Sequence, residues 1–444
     1  MRGSHRVTYP DGAALCEANP MSSPPVAPAP SRGAKRTSEL DALRGLMLVL
    51  MAVTHLPTRF ATPFGQPFGF VSAAEGFVLV SAFLAGRVYM ARHERDGEDE
   101  MRSAFLRRVL KIYTWQAVLL AFLFTVIALA GSWRQQPAVN NLLAFYWENP
   151  LRAFASGLLL VYNPPLLDIL PMYILFMALS PLLLVHGVRH GWAPILIASI
   201  ALWVVAQFGL GNVIYESLIA HAKLRLPPYE QSGSFSLMAW QFLWVLGLWM
   251  GATKVATAPE ETAATPRRFP RWMVGIAAAV ALTGFVWRHA VGQAPFGNDA
   301  ALNLLFDKWH LGPLRILNLF ALMILVLHFA PWLRRKLPPL EPLQTLGRAS
   351  LQVFVAHLAI ALVLLAWLGE ADDQRSWLLD ALVLAASLFV LYLVAALVDL
   401  VERRSAAARQ RLRGRAQLVK RGVKAGIKAG AQRSRAAIGR IRPH

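Results

Sequence analysis

Residues 38–57 read SELDALRGLMLVLMAVTHLP. From Leu40 onward the stretch is apolar and of membrane-spanning length. Such a helix needs about 20 mostly apolar residues, because each adds about 1.5 Å toward a hydrocarbon core of roughly 30 Å. Yet the run carries Asp41, Arg44 and His55. Ionisable groups inside a bilayer cost several kcal/mol, so each is a functional hypothesis by default. Arg44 and His55 are eleven residues apart, about three full helical turns, so their side chains share one face and stand roughly 16 Å apart along the axis. Asp41 precedes Arg44 by three residues, close enough to pair with it.

The rest of the chain repeats the apolar theme. Of 444 residues, 56% are hydrophobic and 16% charged, with a mean hydropathy of +0.44. That balance belongs to a protein whose main solvent is lipid. Apolar runs at 39–57, 68–91, 109–131, 167–186, 192–210, 235–254, 272–290, 311–333, 350–369 and 376–400 predict about ten spans, an all-α polytopic bundle. The Pro-containing stretch 163–172 predicts a broken helix. Lys and Arg gather before the first run, between the second and third, the sixth and seventh, and the eighth and ninth, and after the last. Short loops rich in them stay cytoplasmic, so both termini are expected in the cytoplasm and the chain in a bacterial inner membrane.

Three parts follow: a disordered cytoplasmic tail over 1–38, a membrane domain over 39–400 and a basic tail over 401–444. The opening MRGSH resembles an expression remnant and carries no argument. The basic tail contributes much of the net charge of +20 and reads as an amphipathic segment drawn to anionic lipid headgroups. Nucleic-acid binding lacks support, since the tail has no interleaved aromatic residues. The single cysteine, Cys16, excludes an internal disulfide and a cysteine-based metal site. His186 and His190 have an i, i+4 spacing but no acidic ligand nearby, a weak metal signal; no metal is expected.

The second run, FGFVSAAEGFVLVSAFLAGRVYM at 68–90, returns through the bilayer with Glu75 at a depth comparable to His55. A carboxylate beside an imidazole fixes its tautomer and raises its basicity, so Glu75 is expected to orient His55. Serving as the counter-ion of a buried arginine is its other reading, and His55 in turn could merely bridge packed helices. Asp41 and Arg44 read equally as an interfacial ion pair with no catalytic part. Further polar insertions mark candidate lining positions: Asp168 and Tyr173 in PPLLDILPMYI, Trp240 and Gln241 in MAWQFLWVLG, Arg315 and Asn318 in LGPLRILNLF. Trp240, like Trp133, Trp147 and Trp309, reads first as a member of an interfacial aromatic belt.

These segments together resemble the OpgC family, integral membrane proteins that succinylate osmoregulated periplasmic glucans, within the wider integral-membrane acyltransferase type-three superfamily. The likeness covers roughly residues 38–400. It rests on LDALRGLMLVLMAVTHLP, SAAEGFVLVSAFLAGRVY, DILPMYI, WQFLWVLG, LGPLRILN and LGRASLQVF in that order. Ala82 departs from the Gly that related sequences usually carry there, a change expected to alter helix packing modestly, and the basic tail has no counterpart.

The resemblance implies that His55 is the catalytic histidine and that Arg44, positioned by Asp41, works with an acyl-CoA, expected to be succinyl-CoA. The acceptor would be a periplasmic glucan, whose hydroxyl His55 deprotonates as it attacks the thioester; an acyl-histidine intermediate is the other route. Asp168, Tyr173, Trp240, Gln241, Arg315 and Asn318 would line the tunnel, and Arg315 or Arg44 could meet a succinyl carboxylate. Two rivals stand beside this reading. One is acetyl or other acyl transfer to a different envelope polysaccharide or lipid. The other is a proton-coupled anion transporter, disfavoured because the polar first two runs have no counterpart in the second half.

Overall fold

Helices account for every regular element among the described residues. The computed structural model describes residues 38–222, 226–256 and 269–439, all within one unit, Arg36–His444. The expected N-terminal tail therefore lies outside the described residues except for Ser38. The main helices are α1 Ser38–His55, α2 Ala73–Asp96, α3 Glu98–Arg134, α4 Ile169–His190, α5 Ala193–Ala206 and α6 Leu210–Ala222. They continue with α7 Leu237–Ala256, α8 Arg271–Val291, α9 Pro313–Lys336, α10 Glu341–Arg348, α11 Ser350–Leu368 and α12 Trp377–Gly439.

Among the described residues, seven helices are long and apolar enough to cross a membrane: α2, α3, α4, α8, α9, α11 and the Trp377–Ala408 part of α12. An eighth is added if α5 and α6, bent by 84° at their junction, form one broken span. By this measure the expected ten is not reached, and the shortfall has a physical origin. α1 places Glu39, Asp41 and Arg44 within 18 residues, and α7 offers only the short apolar stretch Leu237–Thr253. The basic segment after residue 400 continues α12 without interruption, so the expected boundary at 400/401 falls inside a helix.

Local sequence explains most helix ends. α2 begins at a capping box: Ser72 accepts from the first turn, while its own backbone N–H donates to Glu75 at 3.1 Å. The expected break at 163–172 resolves into a loop ahead of α4, with Pro171 in the first turn of that helix, where its missing N–H forfeits no hydrogen bond.

The core is one cluster to which α1, α2, α3, α4, α7, α9 and α11 all contribute. α2 and α7 share the most intimate contact. Small residues bring their backbones together, Gly247 and Gly251 of α7 lying against the Leu79 and Phe83 carbonyls of α2. Ala82 is fully buried there, and a Cβ on Gly247 would come within 2.8 Å of its methyl. The Ala82 departure thus falls in a closely packed helix pair of the core.

Candidate active site

Polar residues of α1 meet polar residues of α11 at two levels, and these levels define the site. Near its start α1 presents Arg44, whose Nη2 donates to Ser350 Oγ at the first residue of α11. Its guanidinium also lies 5.8 Å from the centre of the Phe77 ring. A small cavity of about 30 Å³ opens here, lined by Arg44, Phe77, Arg108, Tyr173, Ser350 and Phe354. That is room for about one water molecule. Asp41 is buried at the same level, with its carbonyl against Gly347.

Three turns further along α1, His55 Nδ1 lies 3.0 Å from His357 Nε2 of α11. The two rings stack, with centroids 5.2 Å apart and planes inclined by 15°. Phe354 stands edge-on to His357 at 4.7 Å and also lines the Arg44 cavity, so one side chain separates the two levels. Two neutral imidazoles at this spacing share a single proton, one donating and the other accepting. With Nδ1 of His55 so engaged, Nε2 is the nitrogen left to meet a substrate.

The turn that follows His55 is clasped to the start of α12. Asp380, fully buried, accepts from the Arg59 backbone N–H at 2.9 Å and from Arg375 Nε at 2.7 Å, while Arg375 also donates to the Pro57 carbonyl. Several of the expected site residues nevertheless act on backbone or on one another rather than on His55.

Glu75 is the clearest case. It accepts from Ser72 N–H and forms a buried ion pair with Arg315 Nε, the two side chains being 0% and 1% exposed. The expected His55–Glu75 pairing is therefore replaced by His55–His357, because Glu75 sits at the third position of α2, where the cap and Arg315 consume its oxygens. Arg315 Nη1 donates to the Phe306 carbonyl at 3.2 Å. Asn318 Oδ1 accepts from Phe70 N–H at 3.0 Å, and Asp168 Oδ2 accepts from Ser234 N–H at 3.1 Å. Trp240 is fully buried and donates to the Trp309 carbonyl at 3.1 Å, which removes it from an interfacial belt; Trp133, Trp147 and Trp309 remain exposed. Gln241 binds Ser199 through both ends of its amide, tying α7 to α5. Of the six expected lining residues, only Tyr173 borders the Arg44 cavity.

Sequence reasoning passed over His357, Ser350, Lys308 and Asp380. His357 carried a usable signal: it is an ionisable residue inside the apolar run 350–369, the same criterion that singled out His55. Ser350 and Lys308 carried none, since a serine at a helix start and a lysine in a loop are ordinary.

No curated protein and no solved structure matches the chain. A family model, described as OpgC protein, matches residues 36–403, which takes in every described residue of both levels of the site. Across that span, and with it a transferase of acyltransferase-like role in glucan modification, the chain belongs to the OpgC family.

Proposed function

We propose that this protein moves a succinyl group from succinyl-CoA to a hydroxyl of a periplasmic glucan across a bacterial inner membrane, with His55 as general base. The observation that carries the reading is the His55–His357 pair at 3.0 Å, separated from the Arg44–Ser350 cavity by the Phe354 side chain. The distribution of basic loops supports an Arg44 level toward the cytoplasm, where acyl-CoA is made, and a His55 level toward the periplasm.

In the reaction the hydroxyl oxygen attacks the thioester carbon while its proton passes to His55 Nε2. The C–S bond then breaks, and the sulfur leaves as a thiol carrying the proton that His55 gives back. For Nε2 to accept, Nδ1 must hold the N–H and donate it to His357 Nε2. His357 thereby fixes the tautomer and steadies the imidazolium, the duty that a carboxylate performs in other catalytic groups. Arg44 anchors the donor by its charge. Because the cavity beside it is only water-sized, the pantetheine arm enters by displacing Phe77 or Phe354.

Purified protein in detergent should release free CoA from succinyl-CoA only when glucan is present. His55→Ala should abolish release without loss of folded protein. His357→Gln should lower kcat by about 10²–10⁴-fold, the usual worth of a positioned acid–base group, with KM little changed. Normal turnover in His55→Ala would overturn the mechanism.

A further inference from the structure

The loop 306–311, between the short helical turn Leu304–Phe306 and α9, is held at nearly every carbonyl. Arg315 takes the Phe306 oxygen, Gly312 N–H that of Asp307 at 2.9 Å, and Trp240 together with Ser236 N–H that of Trp309. Gln207 takes the His310 oxygen at 2.7 Å and Trp203 that of Leu311 at 2.9 Å. Leu311 is fixed in the left-handed region at φ 51°, a conformation that persists only when its surroundings impose it. One residue at the centre of this clamp, Lys308, spends its side chain on no such bond. Its ammonium lies 4.6 Å from the centre of the Trp309 ring and 5.7 Å from that of Phe235.

Lys308 is half-buried, and among the described residues no carboxylate comes within 4.0 Å of it. Several other shielded cations have acidic partners, Arg315 with Glu75, Arg59 and Arg375 with Asp380, and Arg348 with Asp399, while buried Arg288 donates to Gln66 at 2.7 Å. The acids near Lys308 are spent elsewhere. Glu75 holds Arg315 and the Ser72 cap, Asp307 holds His310 at 2.8 Å, and Asp168 holds the Ser234 N–H. Arg315 Nη2 is buried with no hydrogen-bond partner. Lys308 lies near enough to His55 for its charge to act on that ring. Lys308 thus has no carboxylate partner and one buried nitrogen of Arg315 has no acceptor, an arrangement that favours an incoming anion.

We propose that Lys308, seated on Trp309 and Phe235 beside His55, receives the free carboxylate of a dicarboxylic acyl group and selects it over a neutral acyl chain. This rests on the acyl-transfer reading above. The carboxylate, two methylenes from the thioester carbon in a succinyl group, would bind Lys308 and the open Nη2 of Arg315 while the carbonyl faces His55. Arg315 itself, locked by Glu75, is the minor partner, and Arg44 is at the other level.

The test compares the full-length protein with Lys308→Met and Lys308→Arg in detergent, using succinyl-CoA and the neutral butyryl-CoA as donors. Lys308→Met should lose about 10–100-fold in kcat/KM for succinyl-CoA, the range expected for a hydrogen bond to a charged group, with butyryl-CoA unchanged. Lys308→Arg should keep most of the preference. In parallel, millimolar succinate, but not butyrate, should raise the Tm of the wild type and not of Lys308→Met. Equal losses with both donors, or succinate protection that survives in Lys308→Met, would overturn the proposal. Lys308-dependent protection in a protein that turns over neither donor would uphold the anion site and sink the transfer reading instead.

Discussion

Glu75→Gln is the most informative single change in this protein. In the folded chain Glu75 neutralises Arg315 at a place where neither side chain is more than 1% exposed. Two unit charges about 4 Å apart attract by about 4 kcal/mol at an effective dielectric of about 20, in line with the roughly 3–5 kcal/mol lost when one member of a buried pair is removed. Glutamine keeps the capping box, because it can still accept from the Ser72 N–H. The predicted loss therefore comes from the uncompensated Arg315 charge and not from fraying of α2. Removing both charges in Glu75→Gln/Arg315→Met should restore most of the stability, since apolar replacement of a whole buried pair is often neutral. The assay is the fraction of monodisperse protein surviving a heat ramp in detergent, read by size-exclusion chromatography. A double variant as unstable as Glu75→Gln alone would refute the ion-pair account. Retention of the His55-dependent activity in the double variant would further separate Glu75 from the base.

Two further outcomes test the geometry. Gly347→Ala places a Cβ within 3.0 Å of the Asp41 carbonyl, so α1 and α10 must separate; an overpacking cost of about 1–3 kcal/mol and a raised KM for acyl-CoA are expected, while Gly275→Ala, which meets nothing within 4 Å, should leave both unchanged. Burial holds the Lys308 ammonium below the usual lysine value, opposed by the charges of Glu75, Asp168 and Asp307 and reinforced by Arg315. Lys308 should therefore lose its charge, as pH rises, over a window lying below that of an ordinary lysine. The preference for succinyl-CoA over butyryl-CoA, measured as a ratio of kcat/KM, should fall as pH rises through that window, and a ratio flat across it would contradict the assignment.

What the sequence determined by itself was the class of protein and one half of the His55–His357 pair. Apolar run length reports directly on bilayer thickness, so the positions of the helices follow from composition. Helical periodicity alone puts Arg44 and His55 on one face of α1, and the Ser72-to-Glu75 spacing carries its own cap. Span count was less legible, because the criterion that finds a membrane helix penalises the charges that α1 carries. Tertiary structure alone decided who pairs with whom. Equal depth made Glu75 a candidate partner for His55, but depth says nothing about azimuth, and the turn of α2 that faces Arg315 gives Glu75 to α9. His357, some three hundred residues along the chain, reaches His55 only because α11 packs against α1. Lys308 acquires meaning only from the side chains of α5, α7 and α9 that clamp its loop. Periodicity within one helix is a local property that residues encode directly, whereas contacts between helices depend on how every neighbour packs.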